Sequence, residues 1–214
     1  MLKDCGAVKI DIKVGFKLKL HETNPEAPLS PIYLNLRTPE NPKPGPLTPQ
    51  MVTEIGRMLW KHAKAKGLTF DAVAGLPNAG RPLALAFHEA AFVDGTLLQV
   101  IQLGKNTTTS GRKIEGILEN DGAIPGDIVL VIDDLITGGD SKKEGIEVLT
   151  NAGFVVGDVL VLIDREQGGL QDLQEIGVNL WSLMTLKKLV HLLFEAGKVS
   201  AAERERVFTY LGNS

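Results

Sequence analysis

The chain has 214 residues, 43% of them hydrophobic, a formal net charge of −3 and a pI near 5.8. That length suffices for one large domain with a substantial core, and the slight acidity argues against a nucleic-acid surface. There is no apolar run long enough to span a membrane as a helix, no signal-peptide core in Met1-Leu-Lys-Asp-Cys5-Gly, no partner for the single Cys5 and no Cys/His cluster with metal spacing, so a cytoplasmic protein is expected.

Taken in order, residues 1–47 are irregular. Gly15-Phe-Lys-Leu-Lys19-Leu alternates and predicts a short strand, residues 21–29 a loop, and Ser30-Pro-Ile-Tyr33-Leu-Asn-Leu-Arg37 a second strand. The proline-rich stretch 39–46 is a loop, and the two strands suggest a small hood over the mouth of a sheet. Thr48-Pro49 opens a helix, Thr as N-cap and Pro at the first helical position, with Met51, Ile55, Met58, Leu59 and His62 on one face and Gly67 at its end. Phe70–Gly75 reads as a strand, Leu76–Gly80 as a tight turn, Arg81–Ala91 as a helix and Leu97–Leu103 as a strand. Residues 104–113 are polar and carry no structural signal. A strand ending at Asp133-Asp134, a helix from about Ser141 to Asn151 and a strand over Val156–Asp164 form a βαβ unit with parallel pairing. The remainder reads as helical, with an apolar stripe of Leu186, Leu189, Val190, Leu193 and Phe194 and a last helix over about Ser200–Leu211. The expectation is a single α/β domain over residues 1–214, with a hood at 1–47 and a core at 48–214.

The most informative stretch is Val129-Leu-Val-Ile-Asp133-Asp134-Leu-Ile-Thr137-Gly138-Gly139-Asp140-Ser141. A short, uniformly apolar strand suits burial on both faces of a parallel sheet. The Thr/Gly/Ser turn offers free amides where a helix begins, a geometry that binds phosphate. Two carboxylates at its lip can hold ribose hydroxyls or Mg²⁺ carried by the same ligand. Ligands of open α/β sheets bind outside the carboxyl ends of the strands, and three loops lie there: 75–80, 133–141 and 164–169.

The stretch resembles the phosphoribosyl-diphosphate (PRPP) signature of type I phosphoribosyltransferases. Together with Ala74-Gly-Leu-Pro-Asn78-Ala79-Gly80, Ser30–Arg37 and Asp164-Arg165-Glu166-Gln167-Gly168-Gly169, the chain is similar to orotate phosphoribosyltransferases, above all the orotate domain of UMP synthases. The resemblance implies that fold, a mainly parallel sheet flanked by helices, and formation of orotidine 5'-monophosphate and pyrophosphate from orotate and PRPP. It implies that Thr137, Gly138, Gly139, Asp140 and Ser141 hold the 5-phosphate and that Asn78, Ala79 and Gly80 cradle pyrophosphate. Asp133 and Asp134 would face ribose and Mg²⁺, while Lys19, Arg165 and the backbone at Tyr33 and Leu34 would hold orotate. Mg²⁺ is the implied cofactor and a homodimer the implied assembly. Arg81 is either a diphosphate partner or a solvated side chain.

One region departs from the resemblance. An Arg-Lys pair ending the third strand and a mobile loop Lys are expected, but the aligned residues are Gln102, Leu103 and Asn106. Lys105, Arg112 and Lys113 are the cations nearby, and Lys105 is the candidate catalytic substitute. Asp140 also stands where a small hydroxyl residue is usual. Three readings follow: an active orotate enzyme, a non-catalytic binder of PRPP or nucleotide, and a phosphoribosyltransferase for another acidic base. His62, His88 and His191 read as packed or solvated, Trp60 and Trp181 as packing residues, and His21 is left open.

Overall fold

The computed structural model describes residues 1–22, 24–108 and 111–212. The hood pairs β1 (Val8–Ile10) with β2 (Ile32–Leu34), antiparallel, Lys9 opposite Tyr33. The core follows as α1 (Pro49–Ala65), β3 (Ala72–Gly75), α2 (Gly80–Val93), β4 (Gln99–Thr108), β5 (Gly111–Asn120), β6 (Ile128–Ile136), α3 (Asp140–Asn151), β7 (Val155–Asp164), α4 (Gly169–Gln174), β8 (Asn179–Thr185), α5 (Leu186–Glu195) and α6 (Ala201–Gly212). The sheet order is β5-β4-β3-β6-β7-β8, parallel throughout except for β4 with β5.

The apolar strands have both faces covered. Val73, Val100, Leu130, Ile132, Leu160 and Leu162 join α1 and α2 in one core. Ala72, Ala74, Ile101, Val129, Val131 and Val161 join α3 and α4 in the other. Such two-sided burial is what continuous Val/Ile/Leu runs encode. Thr48 caps α1 by accepting from the Met51 amide at 3.4 Å, and Trp60 packs edge-on against Phe87 at 5.4 Å, as a packing residue should.

Several expectations are corrected. Residues 15–20 form no strand: Phe16 makes one bridge to Ser30 and residues 19–22 a 3-10 turn. The Asp11 carboxylate accepts from the Lys13 and Val14 amides, and His21, 8% exposed, bonds Leu18 and Ala27, so local side chains outcompete a ladder. The strand in its place is β1, and β2 is shorter than expected. Residues 104–108 and 111–113 belong to the β4–β5 hairpin; residues 109 and 110 lie outside the described residues. Leu103 and Ile114 are buried in the α3-side core, and the Ile114 amide donates to Glu144 at 3.4 Å, so the hairpin folds over α3. The end is not all helical: β8 is an edge strand pinned by Asp158, which accepts from Trp181 at 2.6 Å and Asn179 at 3.1 Å.

Candidate functional site

Strand β3 leads through α2 to β4 on one side, while its other neighbour, β6, leads through α3 to β7. The order therefore reverses between β3 and β6, and the crevice beyond their carboxyl ends is the topological switch point at which open α/β sheets bind ligands. Asp133, Asp134, the 137–141 turn and the 76–80 loop all reach it.

Asp133 is 8% exposed, its carboxylate 2.6 Å from the Lys142 ammonium, which also donates to the Leu135 carbonyl at 2.6 Å. Lys142 sits in the first turn of α3 and is itself buried, so the pair holds the helix start against the strand end in a low-dielectric setting. Asp134 follows on the opposite face of the strand. Its backbone N–H donates to Asp133 at 2.8 Å and its carboxylate accepts from the Leu135 amide at 2.9 Å. Burial, and then the neighbouring Asp133 charge, push the Asp134 carboxyl up to about 8, with Lys142 pulling the other way. Asp134 thus holds its proton more tightly than an ordinary carboxyl, and a cation arriving at its oxygens would favour the proton's release.

The turn before α3 has no capping side chain of its own. The cap comes from Asp172 in α4, which accepts from the Gly139 amide at 2.7 Å and lies 3.4 Å from the Lys143 ammonium. That amide bond, then Lys143, hold the Asp172 carboxyl below its usual range. A carboxylate of the chain itself thus occupies one donor of the turn. Asp140 is exposed at the first position of α3, and Ser141 Oγ lies 3.5 Å from Lys142. Sequence reading missed Asp172; its only signal was an acid three residues after Gly168-Gly169.

The 76–80 loop lies against the same strand end. The Leu76 amide donates to the Ile132 carbonyl at 2.9 Å, and the Pro77–Asn78 peptide is cis. A Cβ on Gly80 would stand 2.4 Å from the Ile132 carbonyl and 3.0 Å from Asp133, so only glycine admits α2 this close to the acid pair. Asn78 is exposed at the lip and Ala79 buried behind it. Arg81 turns its guanidinium to Gln102 Oε1, with the Nε contact at 3.1 Å.

Arg165, at the end of β7, is 2% exposed. Glu166, at φ 58, sends the chain back outward. The guanidinium donates to Gln167 at 2.9 Å and to Ser30 of the hood at 3.4 Å. Burial lowers its affinity for its proton, with Tyr210 opposing. Among the described residues Arg165 has no carboxylate in ion-pair range, so a buried charge rests on neutral partners.

Tyr33 stacks at a tilt on Phe16, 5.8 Å between centroids, and its hydroxyl accepts from Arg37 at 3.3 Å. Leu34 spends its side chain in the core, leaving only its backbone for a ligand. The Lys19 side chain lies outside the described part of the molecule, as do those of Asn106 and Arg112. Lys105 sits in the hairpin opposite Ile114, half-buried and engaged by neighbours, while Lys113 is exposed.

Among the described residues no three His, Cys, Asp or Glu side chains form a metal-holding group. The donors present are hard carboxylate oxygens on adjacent residues, which fit Mg²⁺ only if a ligand supplies most of its coordination. Among the described residues no helix is long and apolar enough to cross a membrane.

The phosphoribosyl transferase domain family matches residues 47–177. The uridine 5'-monophosphate synthase of Bos taurus is 33% identical over 186 residues, 85% of this chain but 35% of that protein, so the chain spans about a third of it. The orotate phosphoribosyltransferase of Pyrococcus furiosus is 33% identical over 153 residues, covering 72% of this chain and 78% of that one. The crystal structure of orotate phosphoribosyltransferase from Aeropyrum pernix superposes with a TM-score of 0.65 at 26% identity, over 93% of this chain and 97% of the other.

Proposed function

Since the chain belongs to the phosphoribosyltransferase family, with a domain match over 47–177 and orotate enzymes among its relatives, we propose that it is an orotate phosphoribosyltransferase joining orotate to PRPP. The observation that carries the base assignment is Arg165: a buried guanidinium with neutral partners needs an anion, and the carboxylate of orotate is planar and bidentate, as an Arg fork prefers.

In this reading the amides of 137–141 take the 5-phosphate, Asp172 giving up its hold on Gly139. Asp133, fixed by Lys142, orients Asp134 toward the ribose hydroxyls. Asn78, Ala79 and Gly80 receive the diphosphate. Arg165, Lys19 and the backbone at Tyr33 and Leu34 set the orotate ring so that a ring nitrogen faces C1. That nitrogen's electron pair forms the new bond as the C1–oxygen bond breaks toward pyrophosphate, and the proton the nitrogen carried is released to the departing pyrophosphate or to water; the protein supplies no nucleophile, and its work is orientation, charge placement and water exclusion. Mg²⁺, when bound with PRPP, would neutralise the leaving group. Lys105 is the cation assigned to the β4–β5 hairpin. A cytoplasmic homodimer belongs to the same reading.

Gln102 and the buried Leu103, standing where cations are expected, favour a second reading, a binder of PRPP without turnover. Loss of orotate absorbance with PRPP, Mg²⁺ and protein decides. Turnover establishes the enzyme; PRPP binding by calorimetry with no turnover establishes the binder. Turnover of another base and none of orotate would sink the orotate assignment.

A further inference from the structure

The geometry points to Arg81 as the diphosphate-binding cation of this site, aimed by Gln102 and, behind it, Glu119. The inference rests on the PRPP reading and assigns a residue that reading left open.

The Arg81 backbone lies over the end of β3, next to the switch point, and its side chain runs toward β4. A Cβ on Gly75, the last residue of β3, would stand 2.6 Å from the Arg81 Cα, so the Arg81 backbone crosses directly over the strand end. Gly75 pairs with Gln102 on one side and Ile132 on the other, placing Arg81 level with both and one residue from Gly80, which abuts Asp133. The guanidinium is then turned by two bonds from its Nε and Nη2 to the Gln102 Oε1. The Gln102 amide nitrogen donates in turn to Glu119 at 2.5 Å, which fixes which end of the amide faces Arg81.

The order of this relay matters. A carboxylate placed directly on Arg81 would neutralise it; an amide orients it and leaves its positive charge for an incoming anion. Glu119 acts one hydrogen bond further away, exposed on β5. Arg81 is half-buried in the first turn of a helix with no acid there, where a cation gains nothing from the helix dipole. An arginine that follows the 76–80 loop directly in the chain is placed to add its charge to that of the loop amides. The relay also accounts for a neutral residue at 102: the cation comes from α2, and β4 supplies the bracket.

Calorimetry on the whole chain tests this with two probes, inorganic pyrophosphate with Mg²⁺ and ribose 5-phosphate. Arg81→Gln should weaken pyrophosphate about tenfold or more, the loss of one charge-assisted hydrogen bond, and leave ribose 5-phosphate unchanged. Gln102→Leu should give a smaller loss of pyrophosphate alone. The double variant Arg81→Gln, Gln102→Arg should regain most of it, which a merely structural arginine would not allow. Pyrophosphate binding unaffected by Arg81→Gln, or equal losses of both probes, overturns the role of Arg81 and leaves the PRPP reading standing. Failure of the unaltered chain to bind either probe overturns both.

Discussion

The Gly139 amide donates to the Asp172 carboxylate at 2.7 Å, so the turn that should receive a phosphate already holds an acid borne by α4. A ligand phosphate and this carboxylate compete for one N–H and repel each other. Asp172→Asn keeps an acceptor and removes the charge. Its expected effect is a roughly fivefold tighter binding of PRPP or ribose 5-phosphate. Stability should fall slightly as the charged cap is lost. Titration calorimetry and thermal melts read the two signs; weaker phosphate binding in the variant would refute the competition.

Lys142 and Asp133 are 5% and 11% exposed in their side chains and 2.6 Å apart. Lys142→Met leaves a buried carboxylate without its cation, a loss of about 3–5 kcal/mol. Chemical denaturation should show it, and the double variant Lys142→Met, Asp133→Leu should recover part of the stability. A double variant no more stable than Lys142→Met would mean that the pair's charges are not what holds strand to helix.

Asp134 supplies a pH dependence of definite sign. Its folded carboxyl is raised to about 8, above the unfolded value of about 4. Between these limits the folded protein holds a proton that the unfolded chain has lost. The contribution is fully present below about pH 4 and is lost as pH rises toward 8, with a slope of up to about 1.4 kcal/mol per pH unit. Melting temperatures of the free protein across pH 5–8 should therefore fall more steeply than those of Asp134→Asn. Parallel curves would show that Asp134 is not the proton carrier.

Arg165→Ala should weaken orotate about 100-fold, in line with loss of a bidentate charged contact, and change PRPP binding little. Because Arg165 also holds Ser30 at 3.4 Å, the hood should loosen, visible as faster amide exchange at Ile32 and Leu34. Equal losses for orotate and PRPP would remove Arg165 from the base site.

Local features of the site were legible in the chain. Apolar runs located β3, β6 and β7, Thr48-Pro49 the start of α1, and the Thr-Gly-Gly turn the start of α3, because each is fixed by residues within a few positions. Contacts closed over long separations were not. The Lys142–Asp133 pair needed the helix start placed against the strand, and Asp172 needed α4, a short helix without apolar periodicity. The β4–β5 hairpin was missed because its residues are polar and Gly-rich, and it is held by pairing and by Leu103 and Ile114 against α3 rather than by its own pattern. β1 is too short to announce itself, and the 15–20 alternation lost to Asp11 and His21 side chains that bond nearby backbone.

The Arg165–Ser30 bond joins positions 135 residues apart, whereas Lys142 and Asp133 are nine apart. Closing a long loop is entropically dearer and slower than closing a short one. On loop closure alone, the Lys142–Asp133 contact should form before the Arg165–Ser30 contact. Under the proposed function, a chain that loses the Arg165–Ser30 contact by loosening of its hood would weaken toward the base before it weakens toward the sugar phosphate.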